Sequence, residues 1–492
     1  MSDNASISAQ TSVQQKPDLF ESMLFYLLIS VVALAPLPLA SNRPLPAAIL
    51  CLAVGLLVIA WAIGIAWGKR MAVAPSRLLW PLLCFGVVCC WIIIQWLPWV
   101  PPSFADPAWL EAANTLGISL AGRISVNPDA TLTGLMHLLA YAAVFWLSLQ
   151  LTAQDRRART AILSIAMIGA AYAFYGLIIY LTGNKSILIY TKWTYGSSLT
   201  STFVNRNSFA TFAGLTLLCA VTVLLEHLRP LFKLHLRPRL KLAMILEDVL
   251  IRRAWMTLSI LIIAIALLFS QSRAGAFATL LGLACIISVF LGSQSMTRWR
   301  ALSFLLLIMG IGAAVFLASG KSLSDRLAMI DVSNSYAGRN MIYVQTLDAI
   351  RASPWTGTGF GTFADVYPAF RSNTDRAPLL WDKAHNTYLE NALELGVPAC
   401  LVLNLSIFLL AMRCLRGINQ RKSAKSLPAL GLGATLLVAF HSYFDFSLQI
   451  PAVSVLYAFI MGVAVSQSWS PRQTKISAIH QARKSLSNVS KL

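Results

Sequence analysis

The sequence predicts an all-α, polytopic integral membrane protein with about 12 transmembrane helices and a long helical loop on the outer side. Only 12% of its 492 residues are charged, against roughly 25% in a soluble globular chain. Several apolar runs reach about 20 residues, the length that a helix needs to cross a bilayer core. Lys and Arg recur in alternate connections. Together these observations exclude a soluble enzyme, a disordered protein and an ordinary nucleic-acid binder.

The apolar runs place the candidate spans in order along the chain. Two pairs of them meet at very short connections, around residues 271–273 and 445–451, and their boundaries are accordingly the hardest to place. The spans expected from the pattern are 22–40, 46–67, 79–99, 132–153, 159–182, 209–226, 255–270, 274–292, 301–318, 393–412, 428–447 and 453–468.

Basic residues orient these spans, since cytoplasmic loops are enriched in Lys and Arg. Every connection after an even-numbered span is basic, for example Lys69–Arg70, Arg156–Arg157 and Arg252–Arg253. Both termini are therefore expected in the cytoplasm, and most of the +20 formal charge faces anionic lipid there. The predicted organisation is a cytoplasmic tail (1–21), transmembrane helices 1–9 (22–318), a large loop on the outer side (319–392), transmembrane helices 10–12 (393–468) and a basic cytoplasmic tail (469–492).

The cysteines and histidines favour neither disulfides nor a metal site. All eight cysteines lie in or at the edge of predicted spans, away from the outer loops where oxidation would occur. No Cys or His spacing resembles that of a zinc site. We expect no metal and no cofactor.

The outer loop of roughly 70 residues is long enough to be functional. Residues 338–353 predict an amphipathic helix opened by Gly338 and Arg339 and stopped by Pro354. The aromatic residues between Phe360 and Phe370 suggest a second short helix on the membrane surface. A further helical run follows Asn386 and leads into the tenth span.

His385 is the candidate general base of this loop. Histidine has an unperturbed pKa near about 6.5, which suits proton transfer at neutral pH. The alternative is a structural histidine that caps the helix at Asn386, which is the commoner role of a lone loop histidine. Asp382 and Lys383 beside it are charges that could tune its pKa.

Three arginines at the predicted outer surface could bind an anion. Arg273 stands between two spans, where snorkelling to lipid phosphate is the alternative. Arg339 opens the amphipathic helix, where free N–H groups and a guanidinium could bind phosphate, or it is simply solvated. Arg206 precedes the sixth span in a polar triplet, where membrane anchoring is the alternative.

These residues have one joint interpretation, a lipid-anchored pyrophosphate substrate. The arginines would hold the pyrophosphate and stabilise its charge as it leaves, and the histidine would deprotonate an acceptor hydroxyl. No carboxylate pair is obvious in the sequence, which favours metal-independent transfer over metal-assisted hydrolysis. A transporter would more often carry charges at the membrane midplane and broken helices.

The chain resembles the O-antigen ligase-like superfamily, which includes O-antigen ligases, O-antigen and exopolysaccharide polymerases and some protein O-oligosaccharyltransferases. The order and spacing of five segments carry the resemblance, which is closest over about 200–450; the family's frequent Gly after Ser-Arg is replaced here by Ala274. The segments are 270–275 (SQSRAG), 338–339 (GR), 354–361 (PWTGTGFG), 385–389 (HNTYL) and 394–396 (ELG).

The resemblance implies an inverting glycosyltransferase on the periplasmic face of the bacterial inner membrane, using an undecaprenyl-pyrophosphate-linked glycan and no metal or cofactor. Arg273 and Arg339 would then bind the pyrophosphate, and His385 would activate the acceptor. Arg206, Lys383 and Asn386 are carried over more weakly, as substrate-binding or supporting residues.

The resemblance leaves the acceptor open. A ligase transfers the glycan to a lipid A core sugar, a polymerase transfers it to another lipid-linked repeat, and an oligosaccharyltransferase transfers it to protein. We favour the ligase-like function and keep the polymerase as the alternative within the class. A lipid-linked glycan transporter or flippase is the alternative of another class. The expected partners are the glycan donor, a lipid A core or polysaccharide acceptor and membrane lipids, with no nucleic acid.

Overall fold

The fold is described from a computed structural model, which describes residues 18–37, 39–234, 236–292, 330–371, 381–421 and 425–469. In these ranges the regular secondary structure is helical apart from one antiparallel pair of two-residue strands, β1 (Ser186–Ile187) and β2 (Tyr190–Thr191). The all-helical fold class predicted by the apolar runs is therefore confirmed.

Ten helices precede residue 293 in the described part of the chain. They are α1 (Leu19–Leu34), α2 (Pro44–Ala66), α3 (Leu79–Trp96), α4 (Pro107–Leu116), α5 (Pro128–Leu151), α6 (Asp155–Leu181), α7 (Arg206–Lys233), α8 (Pro238–Glu247), α9 (Ala254–Phe269) and α10 (Arg273–Gly292).

Six further α-helices follow in the described ranges after residue 329, with short 3₁₀ turns at Tyr367–Phe370 and Ser447–Gln449. They are α11 (Ile330–Ala352), α12 (Phe363–Val366), α13 (Thr387–Leu395), α14 (Val397–Gln420), α15 (Ser426–His441) and α16 (Pro451–Ser466).

Seven helices of the described chain are long and apolar enough to cross a membrane, or up to eight if α8 and α9, which meet at a bend of 79°, form one broken span. Three shorter apolar helices, α1, α15 and α16, coincide with further predicted spans. The predicted span 301–318 lies outside the described residues. The polytopic architecture is thus supported, while the number of about twelve spans stays a prediction.

The ends of the helices follow from local sequence signals. Side chains of Asp106, Asn127, Asn205 and Asn386 accept hydrogen bonds from the first-turn N–H groups of α4, α5, α7 and α13. Several helices also begin with proline near their first position, where its missing N–H is not needed.

Helix α7 lies in the middle of the bundle, with α6, α9, α10 and α15 packed around it. Small residues bring the backbones close together. A Cβ on Gly169 would lie 2.2 Å from Thr216 of α7, and a Cβ on Gly282 of α10 would lie 2.8 Å from the carbonyl oxygen of Gly433 in α15. Such close approach is the usual basis of helix packing in a bilayer, where no hydrophobic effect drives helices together.

The outer segment has its own small core. Ile342 and Ile350 of α11, Phe363 and Tyr367 of the following turns, and Leu393 of α13 are buried together. The rings of Phe363 and Tyr367 stack with centroids 5.1 Å apart. The largest rings of this aromatic helix thus face α11 and α13, while its predicted position on the membrane surface stays a prediction.

The glycines of residues 354–361 join this segment to the bundle. All three glycines, Gly357, Gly359 and Gly361, have positive φ angles. The backbone N–H groups of residues 358 and 359 donate hydrogen bonds to the carbonyl oxygens of residues 393 and 394. Gln95 of α3 donates from its side-chain amide to the carbonyl oxygens of Thr356 and Glu394, each at 2.8 Å. The motif therefore holds the outer segment against α3, α5 and the start of α14.

Gly359→Ala should destabilise the protein by about 1–3 kcal/mol, because an added Cβ would lie 2.4 Å from Ser125 Oγ and the φ of +106° suits glycine. The measurement is thermal unfolding in detergent. Gly55→Ala is the matched control, since a Cβ there meets nothing within 4 Å. Equal melting temperatures for the two variants would contradict this role of the motif.

Candidate functional site

A buried polar network lies beneath the outer segment, where α7 and α10 begin and α15 ends. Asp445 is its centre. Asn207 donates to Asp445 Oδ1 at 3.1 Å, and Ser447 donates to Oδ2 at 2.5 Å. Ser272 in turn donates to the side-chain oxygen of Asn207 at 2.8 Å. Three segments distant in sequence are thus joined around one carboxylate.

His385 completes this network from the outer segment. Its Nδ1 lies 3.8 Å from Asp445 Oδ1, within ion-pair distance, and only 11% of its side chain is exposed. Trp381 and Phe446 pack edge-on against the imidazole, with ring centroids 5.3 and 4.8 Å away. The ring therefore stands in a mostly apolar pocket with one carboxylate beside it.

The Asp445 carboxyl is held in its ionised form. Complete burial by itself raises its pKa, but His385, His441 and the Ser447 hydroxyl outweigh burial, so that the pKa lies below its usual value. An ionised carboxylate beside Nδ1 fixes the orientation of an imidazole and stabilises its protonated form. The pair can therefore accept a proton at His385.

The backbone of His385 has a φ of +54°, a conformation that side chains other than glycine seldom adopt. Three contacts hold it there. The Tyr343 hydroxyl donates to the His385 carbonyl oxygen at 3.0 Å, the Ala384 N–H donates to Glu390 Oε2 at 2.9 Å, and Asn386 caps α13. The direction of the imidazole is thus set by its neighbours on both sides.

Lys383 forms an ion pair inside the outer segment, with its Nζ 3.1 Å from Oε1 of Glu390, whose side chain is 1% exposed. Glu394, one turn further along α13, accepts a hydrogen bond from the Phe363 N–H at 3.1 Å. Helix α13 thus buries two glutamates four residues apart, a pair that is not obvious from the sequence. Their contacts shape the loop before His385.

Burial and the charge of Glu390 raise the pKa of Glu394 to about 8. Burial lowers the pKa of Lys383, but the two glutamates more than compensate and raise it overall. Both shifts favour the protonated forms of these two groups, the charged lysine and the neutral acid of Glu394.

Glu394→Gln should flatten the pH dependence of stability. A carboxyl whose folded pKa is raised contributes stability that is complete below its unfolded pKa of about 4.3 and is lost as the pH rises towards 8. Glutamine mimics the protonated acid, so the variant should be more stable than the parent above pH 8, by up to about 5 kcal/mol for a pKa raised from about 4.3 to about 8. Melting temperatures between pH 5 and 9 test this, and parallel curves for both proteins would contradict it.

Arg206 and Arg273 each adjoin a member of the network. Arg206 begins α7 next to Asn207, contacts Ser198 Oγ at 3.3 Å and lies over the ring of Tyr195 at 5.4 Å. Arg273 begins α10 next to Ser272, and its side chain is exposed. Ser198 also contacts the Gln271 side chain. Two cationic side chains predicted from the sequence are therefore brought to the same end of the bundle as His385.

Arg339 lies in the middle of α11, because this helix begins at Ile330. The sequence prediction that Arg339 opens a helix is wrong, and free N–H groups at a helix N-terminus cannot contribute to anion binding there. The helix does end at Ala352, before Pro354, as predicted. Arg339 precedes by four residues Tyr343, whose hydroxyl bonds to the His385 backbone.

Asp445 and Glu390 are the residues of this site that sequence reasoning did not select. Asp445 could have been noticed as an ionisable residue in a very short connection between two apolar helices. Glu390 shows a weaker signal, a glutamate in the first turn of the helix that follows His385. In the described part of the chain, no group of three or more His, Cys, Asp or Glu side chains could hold a metal ion.

Comparison with known protein families gives a match to the middle of the chain. Residues 258–403 match the family model described as O-Antigen ligase. The matched segment includes Arg273, Arg339 and His385 but ends before Asp445. No curated protein matches the chain. Over residues 258–403 the chain is therefore similar to the O-antigen ligases, which confirms the superfamily indicated by its motifs.

Proposed function

We propose that this protein is a glycosyltransferase that moves a glycan from an undecaprenyl-pyrophosphate carrier to an acceptor hydroxyl. The observation that carries the proposal is the His385–Asp445 pair, joined through Asn207 and Ser272 to the helix starts that bear Arg206 and Arg273. The match of residues 258–403 to the O-Antigen ligase family supports the reaction class.

The site lies on the periplasmic side of a bacterial inner membrane in this proposal. The basic connections lie at the other end of the bundle, where Lys69 pairs with Asp18 and Arg157 with Glu21, and cytoplasmic loops carry such positive charge. Twelve spans, including 301–318, leave both termini in the cytoplasm. The segment 319–392 then forms the periplasmic loop, between spans 1–9 and 10–12.

The proposed reaction begins at the His385 imidazole. Nδ1 faces Asp445, so Nε2 is the nitrogen that takes the proton of the acceptor hydroxyl. The acceptor oxygen bonds to the anomeric carbon from the face opposite the carrier, and the carbon–oxygen bond to the pyrophosphate breaks. The carrier pyrophosphate leaves with that electron pair, and the configuration inverts. The imidazolium is stabilised by Asp445 until its proton passes to solvent.

Arg206, Arg273 and Arg339 bind the pyrophosphate in this proposal, and guanidinium groups suit its oxygens because they bind phosphate in a bidentate manner. The exposed side chain of Arg273 can reach a carrier anchored in the outer leaflet. Lys383 and Asn386, first expected near the substrate, act instead by shaping the loop of His385 through Glu390 and through the cap of α13.

Arg273→Ala should weaken binding of the glycan donor by about 1.5–3 kcal/mol, the value of a hydrogen bond to a charged group. The same loss is expected for Arg339→Ala. The measurement is donor affinity of the purified protein, with Arg237→Ala as control because this exposed arginine lies at the opposite end of the bundle. Parental affinity in both variants would contradict the arginine clamp.

The acceptor is tested with purified protein and a lipid-linked repeat unit, with and without lipid A core. A ligase transfers the glycan to the core and forms no longer chains without it. Chain growth in the absence of core identifies the alternative within the class, a polymerase. Movement of the intact donor across the bilayer without transfer identifies a flippase and overturns the proposal.

A further inference from the structure

A cavity of about 140 Å³ lies at the end of the bundle opposite to His385, between α1, α2 and the connection from α5 to α6. Apolar side chains, among them Phe20, Leu24, Trp61 and Ile65, form part of its wall. The polar part is formed by Glu21, Lys69, Arg70, Gln150, Gln154 and Arg157.

The cavity is lined by three cationic side chains, those of Lys69, Arg70 and Arg157, and by one acidic side chain, that of Glu21. Glu21 pairs with Arg157 at 2.8 Å, and Asp18, from outside the cavity wall, pairs with Lys69. Arg70 is exposed, and no acidic side chain in the described ranges lies within ion-pair distance of it. The cavity therefore has an excess of positive charge.

The start of α6 adds to this positive potential. Its N-cap residue, Gln154, lines the cavity and makes no capping hydrogen bond with its side chain. A 27-residue helix presents free N–H groups and the positive end of its dipole at this position. Asp155 in its first turn opposes this potential in part, and it lies 3.7 Å from Arg421 Nη2. The cavity wall is fixed on the other side, since Gln150 exchanges two hydrogen bonds with the backbone of Val73.

We propose that this cavity binds an anionic phosphate group, either that of a lipid headgroup or that of a soluble phosphomonoester. The cations and the N-terminus of α6 contact the phosphate oxygens, with Arg70 contributing the charge that no described acid neutralises. The apolar wall of Phe20, Trp61 and Ile65 suits the glycerol and first methylenes of a lipid. This site is separate from the proposed transfer reaction and does not depend on it.

Native mass spectrometry of the full chain in detergent tests the proposal with three probes: phosphatidylglycerol, phosphatidylcholine and glycerol 3-phosphate. The parent protein should retain phosphatidylglycerol or glycerol 3-phosphate in preference to phosphatidylcholine. Arg70→Gln should reduce this retention about tenfold, as expected for one lost charge-assisted contact. Arg239→Gln is the matched control, an exposed arginine at the same end of the bundle but away from the cavity.

The probes separate the sources of the phosphate. Loss of phosphatidylglycerol alone in Arg70→Gln identifies a lipid site, and loss of glycerol 3-phosphate alone identifies a soluble ligand. Equal retention of the anionic probes by the parent and Arg70→Gln would overturn the proposal, as would equal retention of all three probes by the parent. Melting temperatures show that each variant is folded.

Discussion

His385→Ala should reduce glycan transfer at least about 100-fold, the lower range for the loss of a general base. The imidazole is the group of the described site placed to take a proton, with Asp445 3.8 Å behind its Nδ1. Donor binding should be little changed, because the arginines hold the pyrophosphate. Transfer is measured with purified protein, donor and acceptor, and kcat should fall while the donor Kd stays near that of the parent.

The control for this variant is His227→Ala. His227 is exposed and lies in the second half of α7, away from the polar network. The His227→Ala variant should transfer glycan at the parental rate, which would show that removing a histidine outside the site does not impair transfer. Parental activity in His385→Ala would instead refute the assignment of the base. A lowered melting temperature, or loss of the variant from the membrane, would show that the substitution causes a folding defect.

Asp445→Asn should reduce transfer by about 100-fold or more, because a neutral amide cannot stabilise the imidazolium that forms during proton transfer. The loss should appear in kcat, while the donor Kd stays near that of the parent. A purely structural role for Asp445 would instead lower the melting temperature together with the activity.

Ser447→Ala is the matched variant for Asp445→Asn. It removes one hydrogen bond to Oδ2 but keeps the carboxylate and the Asn207 contact to Oδ1. It should retain most of the activity of the parent. An equally large loss of transfer in both variants would mean that packing around Asp445, rather than its charge next to His385, determines the rate.

The helical fold could be predicted well because its signal is local. Apolar runs of sufficient length and capping residues such as Asn205 and Asn386 place helices close to where they occur. Shorter features were harder. The start of α11 was predicted at Gly338 from the apolar face of residues 338–353, but the helix extends back to Ile330.

The candidate site could be predicted only in part. The sequence marks three of its residues as polar or charged groups next to apolar spans or in the outer loop: His385, Arg206 and Arg273. The structure brings Arg206 and Arg273 next to the network that contains Asp445. Asp445 itself lies 60 residues from His385 in the sequence, and nothing local relates the two. Their contact depends on how α15 and α16 pack against α7, which is tertiary information.

The burial of charged residues also could not be predicted from the sequence. Glu390 and Glu394 follow the pattern of an amphipathic helix in the sequence and would be expected at its polar surface. The outer segment instead covers them and pairs Glu390 with Lys383. Only the fold shows that these charges orient the loop before His385 rather than face solvent.

The most direct test of the account is one assay of purified protein in liposomes that contain the undecaprenyl-pyrophosphate-linked glycan, with acceptor supplied on the side of His385. The account predicts that each transferred glycan has an inverted anomeric configuration and that each transfer releases one carrier pyrophosphate. The His385→Ala variant should neither transfer glycan nor release carrier pyrophosphate. Donor that crosses the bilayer intact with no release of carrier pyrophosphate would contradict it.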